Sequence, residues 1–195
     1  LINNAGFLKT RRYENSRGIE MSMAVNYFGT RALTTALLPL LERGGRIINV
    51  TSSMASRGFL DFENLYLEKN WSGFQAYFNS KFAQNLYTRE LAEELRDKEI
   101  TVNALHPGNI ITNIWEELWP YNKILKRLIA LIERTGFLSA YRGARTPVYL
   151  AISPQVSHGT DGYYINCKLV KWPSNCRNRD QNKTIIQRLH QYHTV

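Results

Sequence analysis

Two short apolar segments, residues 46–51 and 100–105, constrain the fold of this chain more than any other feature. Both are too short for typical helices and rich in branched side chains, as expected of strands buried in a parallel sheet. Residues 17–42 carry a helical pattern before the first segment, and residues 74–98 carry a longer one between the two. Strands that alternate with helices predict an α/β fold with a doubly wound parallel sheet.

The rest of the chain continues this alternation. We expect residues 1–172 to form one domain and residues 173–195 to form a polar tail. The remaining predicted elements are helices at 113–135 and 141–152, a last strand at 163–166, and a short tail helix at 181–192. A length of 195 residues is enough for one sizeable core.

A tyrosine and a lysine, Tyr77 and Lys81, lie four residues apart inside the long helical pattern. Residues at this spacing share one helix face, so the sequence places a phenol beside an ammonium group. A nearby cation favours the phenolate, and we therefore expect the pKa of Tyr77 to fall below its usual value. Such a phenol could exchange a proton with an alcohol or a carbonyl. With 11 tyrosines in the chain, the pair alone is weak evidence.

The neighbouring motifs make the pair informative because they follow a fixed order. They are Asn3-Asn4-Ala5-Gly6, Val25-Asn26-Tyr27-Phe28-Gly29, Asn49-Val50-Thr51-Ser52-Ser53, the pair itself, and Asn103-Ala104-Leu105-His106-Pro107-Gly108. Together they resemble the short-chain dehydrogenase/reductase family, over nearly the whole chain. The retinol-dehydrogenase-like branch is the most similar, as Gly18-Ile19-Glu20-Met21 and Gly162-Tyr163-Tyr164 indicate. This resemblance implies a Rossmann-like fold.

The resemblance also implies a catalytic tetrad. Tyr77 would be the acid or base, and Lys81 would lower its pKa and bind the nicotinamide ribose. Asn26 would hold a water of a proton relay. A hydroxyl at the end of the second strand would stabilise charge on the substrate oxygen. Thr51, Ser52 and Ser53 all lie there, and the alignment favours Ser53.

The same resemblance implies binding of NADP or NAD. The residues expected to contact this cofactor are Asn3, Ala5, Gly6, Tyr77, Lys81, Pro107, Gly108 and Thr112. Asn4 would tie adjacent strands together. His106 lies in the same motif, but we do not interpret it as an acid or base.

One family motif has no counterpart in the sequence. The family carries Thr-Gly-x-x-x-Gly-x-Gly, which brings a helix N-terminus to the cofactor pyrophosphate, and these 195 residues contain no such turn. We therefore expect the chain to be the C-terminal part of a longer protein, in which the Rossmann-like domain lacks its first strands as well as this turn, or a degenerate copy. As written, it is expected to bind dinucleotide poorly or not at all. The alternative function is a non-catalytic binding or scaffold protein that holds no cofactor.

Residues 113–137 fall where this family covers its substrate. Their apolar side chains suit a lipophilic alcohol or carbonyl, of the retinoid, steroid or lipid-aldehyde type, and the lysines beside them could rest on a membrane surface. Residues 54–74 are expected to form an extra loop near the site. The helix at 74–98 could pair with a second copy of the chain.

Composition excludes some other classes. The formal net charge is +9, but the cations are mostly dispersed and no nucleic-acid-binding motif is present. Two cysteines, without metal-ligand spacing, predict neither a disulfide framework nor a metal site. No apolar run approaches the length of a membrane span. The sequence leaves the compartment open between the cytoplasm and the cytosolic face of an internal membrane.

Overall fold

The computed structural model describes residues 1–108 and 139–192. Within these residues the sheet has five strands, which lie side by side in the order of the chain: β1 (Ile2–Asn3), β2 (Arg46–Val50), β3 (Thr101–His106), β4 (Gly162–Ile165) and β5 (Lys168–Val170). The first four strands are parallel to one another, and β5 is antiparallel to β4. The predicted parallel strands are therefore confirmed, while β5 was not expected.

The turn between β4 and β5 explains why the chain adds a fifth, antiparallel strand. Asn166 and Cys167 both have positive φ angles, of 50° and 60°, which suit the tight two-residue turn of a hairpin. All three residues of β5 are exposed, so no alternation of buried and exposed side chains marked it as a strand in the sequence.

The helices pack on both faces of the sheet. They are α1 (Met21–Met23), α2 (Thr30–Leu37), α3 (Gly73–Glu94), α4 (Ala140–Ile152) and α5 (Arg179–Tyr192). A π-helical segment, Ala24–Gly29, joins α1 to α2, and a 3₁₀ segment, Leu38–Leu40, follows α2. The predicted helices at 17–42, 74–98, 141–152 and 181–192 correspond to these elements; the one at 113–135 lies outside the described residues.

Two hydrophobic clusters hold the layers together. The larger one packs α3 against the first helical stretch, the sheet and α5, with Tyr27, Leu86, Val102 and Leu189 among its most buried members. The smaller one lies on the opposite face, where Leu150 of α4 packs against β2, β3 and β4. Because α5 supplies side chains to the larger cluster, the polar tail is packed onto the main core.

Residues 58–72 form an irregular segment between a 3₁₀ turn, Ser53–Arg57, and α3. The tail fastens this loop: the Asn175 amide donates to the carbonyl oxygens of Ala55 and Gly58, at 2.9 Å each. Gly58 passes so close to α3 that a Cβ there would lie 2.4 Å from a backbone oxygen. The loop thus leaves the end of β2 and is fixed against both α3 and the tail.

Candidate active site

The carboxyl ends of β1, β2 and β3 meet at one edge of the sheet. Asn4, Thr51 and Pro107 are the first residues beyond these strands. Ligands of open α/β sheets bind at this edge. The segments Asn3–Gly6, Thr51–Ser53 and His106–Gly108 therefore belong to one region, and the N-terminal half of α3 brings Tyr77 and Lys81 to it.

Lys81 is almost completely buried, with 3% of its surface exposed. Its ammonium donates to the backbone oxygen of Val50, at 2.9 Å, and to Oε1 of Gln84, at 3.0 Å. Both acceptors are uncharged. Loss of hydration on burial therefore lowers the pKa of Lys81 to about 7. The side chain can exchange a proton near neutral pH.

Tyr77 is half-buried, and its ring centroid lies 5.9 Å from Nζ of Lys81. The expected neighbourhood of phenol and ammonium is present, but the expected direction of the pKa shift is wrong. Burial raises the pKa of Tyr77 above its usual value, and a hydrogen bond with Ser52 opposes this only in part. The prediction failed because it counted the lysine charge and left out the burial of both groups.

The hydroxyl that meets Tyr77 belongs to Ser52, not to Ser53. Ser52 is buried at the end of β2, where its Oγ also accepts from the backbone N–H of Met54, at 3.2 Å, and caps the 3₁₀ turn. Ser53 begins that turn and is exposed. The structure therefore places Ser52, rather than the predicted Ser53, beside Tyr77. Neighbouring residues of an extended chain point to opposite sides, so only one of the two hydroxyls can face Tyr77.

Asn26 lies in the π-helical segment and is fully buried. Its Oδ1 accepts from the backbone N–H of Phe7, at 2.7 Å, while its Nδ2 donates to the backbone oxygen of Phe7 and to Oγ of Ser80, at 2.9 Å each. Ser80 in turn donates to the backbone oxygen of Tyr77, at 2.8 Å. Asn26 thus joins the segment after β1 to the turn of α3 that carries Tyr77.

The contact between adjacent strands that was expected of Asn4 is made by Asn3. Nδ2 of Asn3 donates to Asn49 Oδ1, at 2.8 Å, and to Thr34 Oγ1, at 3.0 Å, so the buried Asn3 is the residue that ties β1 to β2. Asn4 is exposed at the edge, as are Ala5 and Gly6. An inward-facing residue of a strand joins neighbours, and the residue beyond its end faces the ligand edge.

Pro107 and Gly108 extend from β3 at the same edge, and Gly108 has a φ of +95°, which only glycine adopts readily. Burial lowers the pKa of His106 beside them. Thr112 lies outside the described residues. Within residues 1–108 and 139–192, no cluster of three or more His, Cys, Asp or Glu could hold a metal ion.

Comparison with known proteins identifies the family of this chain. The family model described as short chain dehydrogenase matches residues 1–123. The chain belongs to the short-chain dehydrogenase family. Its resemblance to the retinol-dehydrogenase-like branch is also confirmed, since human "Retinol dehydrogenase 14" is 36% identical over 170 residues. That alignment covers 86% of this chain and 50% of the human protein, so the chain spans about half the length of this relative.

Solved structures support the Rossmann-like α/β fold. A protein from Mycobacterium paratuberculosis, 24% identical, matches 97% of this short-chain dehydrogenase with a TM-score of 0.73; the match covers 65% of that protein. A short-chain dehydrogenase/reductase from Brucella ovis, in complex with partially ordered NAD, is 26% identical with a TM-score of 0.53. That match covers 83% of this chain and 61% of the other.

One residue of this short-chain dehydrogenase site was not singled out from the sequence. Gln84 is fully buried and accepts a hydrogen bond from Lys81. The signal was present, because residues three apart on a helix are neighbours and Gln84 follows Lys81 by three. A glutamine on the buried face of a helix requires a hydrogen-bond partner.

Proposed function

We propose that the protein is an NAD(P)-dependent oxidoreductase that interconverts an alcohol and a carbonyl, with Tyr77 as the acid or base. The observation that carries the proposal is the convergence of Ser52, Tyr77 and Lys81 at the carboxyl edge of the sheet. A buried lysine whose pKa lies near 7 is a feature of functional sites rather than of ordinary cores.

The residues at this edge fit a nicotinamide cofactor. Ala5 has a small, exposed side chain and the exposed Gly6 has none, and the positive φ of Gly108 likewise favours a residue without a side chain in the loop after β3. Two of the three N–H groups of the Lys81 ammonium are used within the protein, which leaves the third for a ribose hydroxyl. When bound, the nicotinamide would supply or accept the hydride.

The residues of the chain would handle the proton. In the reductive direction, Tyr77 would give its phenolic proton to the substrate oxygen as the carbonyl carbon gains a hydride. Ser52, hydrogen-bonded to Tyr77, would donate to the same oxygen and stabilise its developing charge. Lys81, with its pKa near 7, would restore the proton. Asn26 would support this step by fixing the helical turn that carries Tyr77.

The substrate we propose is lipophilic, of the retinoid, steroid or lipid-aldehyde type. The resemblance to retinol dehydrogenases supports it, and the expected covering region, residues 113–137, lies outside the described residues. No helix in the described ranges is long and apolar enough to cross a membrane. Contact with a membrane surface and pairing of two chains through α3 remain proposals, and α5 already packs on part of that helix.

Binding and turnover test the function together. NADPH and NADH are titrated into the purified protein, and oxidation of the bound cofactor is followed with retinal as substrate. Because these 195 residues contain no Gly-rich turn to hold the cofactor pyrophosphate, we expect weak binding and slow turnover, with preference for NADPH. A protein that binds neither cofactor would contradict the proposal and favour the non-catalytic alternative.

Three substitutions then test the roles of the side chains. Tyr77→Phe is expected to lower kcat by roughly 10²–10⁴-fold and Ser52→Ala by roughly 10²–10³-fold, with the fold retained. Ser53→Ala is the matched control, because its hydroxyl is one residue away and exposed. Equal losses in Ser52→Ala and Ser53→Ala would contradict the assignment of Ser52.

A further inference from the structure

Gln84 connects the site lysine to the helix on the other side of the core. Its Oε1 accepts from Nζ of Lys81, at 3.0 Å, and its Nε2 donates to Oγ1 of Thr30, at 3.4 Å. The side chain is fully buried. If the amide were flipped, its NH2 group would face the Lys81 ammonium, and both groups are hydrogen-bond donors. The ammonium therefore fixes the orientation of the amide, and the amide oxygen in turn fixes the position of the ammonium.

We propose that Gln84 is a positioning residue: its amide oxygen holds the Lys81 ammonium against β2 and directs its remaining N–H toward the site. This inference rests on the proposed function in one respect only, namely the identity of the group that the remaining N–H binds. A lysine side chain has four rotatable carbons and no fixed geometry of its own. Here one acceptor comes from the sheet, at Val50, and the other from α3, at Gln84.

The surroundings of the ammonium make this acceptor important. A buried cation needs hydrogen bonds to offset the hydration it loses. Both acceptors of Lys81 are neutral, and the phenol of Tyr77, a titratable group, lies beside it, with its ring centroid 5.9 Å away. Removal of the amide oxygen would therefore leave the cation with a single backbone acceptor. The ammonium would lose its proton more easily and its fixed position.

Two substitutions of similar size separate positioning from simple packing. Gln84→Met keeps the shape and removes the acceptor, whereas Gln84→Glu keeps an acceptor and adds a negative charge. We expect the titration midpoint of Lys81 to fall in Gln84→Met and to rise by roughly 1–3 pH units in Gln84→Glu. The midpoint is measured by NMR of ¹³Cε-labelled lysine, with the resonance assigned from Lys81→Arg.

A purely structural role of Gln84 predicts a different result. Both variants would then lose stability while Lys81 titrated at one unchanged midpoint, and that outcome would overturn the proposal. Thr30→Val is the control, because it removes only the bond that orients the far end of the amide. It is expected to move the Lys81 midpoint less than either change at Gln84.

A measurement on the unaltered protein covers the case in which the variants do not fold. The ¹⁵N resonance of the Gln84 side-chain amide should titrate with the same midpoint as Lys81, and an amide that does not respond would also overturn the proposal. These titrations require neither cofactor nor turnover. A protein that shows the coupling but binds no nicotinamide would retain the positioning role and lose the proposed function.

Discussion

Each half of α3 carries a cation that is largely removed from solvent, and the two cations differ in whether they have a counter-ion. In the N-terminal half, Lys81 meets only neutral oxygens, and its pKa falls to about 7. In the C-terminal half, the Arg89 guanidinium bonds both carboxylate oxygens of Asp161, at 3.0 and 3.3 Å. It also donates to the backbone oxygen of Cys176 and lies over the ring of Trp172, 5.2 Å from its centroid.

This difference separates chemistry from stability within one helix. A buried charge without a counter-ion costs free energy, but it can change its protonation near neutral pH. A buried charge with a bidentate carboxylate is fixed and fastens what its partner belongs to. Arg89 fastens the tail and the residue before β4 to α3, whereas Lys81 keeps a proton available at the site. Each prediction below tests whether these two roles are separable.

The largest expected effect comes from Lys81→Met. Because the folded state lowers the pKa of Lys81 from 10.5 to about 7, the unfolded chain holds this proton over a range in which the folded chain has released it. The wild-type free energy of unfolding therefore gains from this group as pH rises from about 7 to 10, by roughly 1.4 kcal/mol per pH unit at most. Below about pH 7 the cost of burying the charge is fully present.

Lys81→Met should remove this pH dependence, and with it the proposed turnover. Urea unfolding at several pH values gives the free energy of unfolding of both proteins. The wild-type value minus the variant value is expected to rise as the pH becomes more alkaline. The control is Lys98→Met, which changes an exposed lysine just beyond α3. A wild-type-minus-variant difference that stays constant with pH would show that Lys81 is not destabilised by burial, and the contrast with Arg89 would fail.

Much of this architecture could be predicted from the sequence, because periodicity reports burial. The apolar runs at 46–51 and 100–105 are strands β2 and β3, and the long helical pattern is α3. The helical spacing of Tyr77 and Lys81 also predicted that they are neighbours, and Nζ of Lys81 does lie 5.9 Å from the Tyr77 ring centroid. These features depend on the spacing of residues within a single helix or strand, and this spacing can be read directly from the sequence.

The features that were missed depend on contacts between elements. Ser52 and Ser53 differ only in where β2 ends and the next turn begins, and Asn3 and Asn4 differ in the same way at β1. The pKa of Tyr77 moved upward because of burial that no motif encodes. Asp161, far from Arg89 in sequence, could not be identified as its partner from spacing alone.

The second prediction concerns the stabilising half of the helix. Arg89→Met leaves the largely buried Asp161, whose side chain is 12% exposed, with the exposed Arg179 as its remaining ion-pair partner among the described residues. It should lower the free energy of unfolding by roughly 2–4 kcal/mol. Arg43→Met is the control, because it breaks the exposed, solvent-screened pair with Glu99 and should leave the free energy of unfolding almost unchanged.

Urea unfolding compares the two arginine variants, and NMR titration of Lys81 completes the comparison. If the halves of α3 are separable, Arg89→Met lowers stability and leaves the Lys81 midpoint unchanged. Equal costs for the two arginines would show that the buried ion pair does not fasten the tail.

The smallest effect is expected from a substitution at Thr88, whose side chain links the C-terminal half of α3 to Gln84. Its buried hydroxyl donates to the backbone oxygen of Gln84, at 2.7 Å, and accepts from Nδ2 of Asn49, at 2.8 Å. Thr88→Val leaves the Asn49 amide without this acceptor, and should cost roughly 1–3 kcal/mol in urea unfolding. Thr184→Val is the matched control, since Thr184 makes the same hydroxyl-to-carbonyl bond one turn back but is exposed in α5.

Thr88 also contacts the backbone of the residue that holds Lys81, so its effect decides how independent the halves are. The carbonyl of Gln84 accepts from Thr88, whereas its side-chain oxygen accepts from Lys81. The helix backbone is rigid between these two atoms, and loss of the hydroxyl should leave the side-chain amide in place. We therefore expect Thr88→Val to lower stability without moving the Lys81 midpoint. A shifted midpoint would mean that the packing of the sheet against α3 sets the protonation of Lys81, and the two halves would then act as one unit.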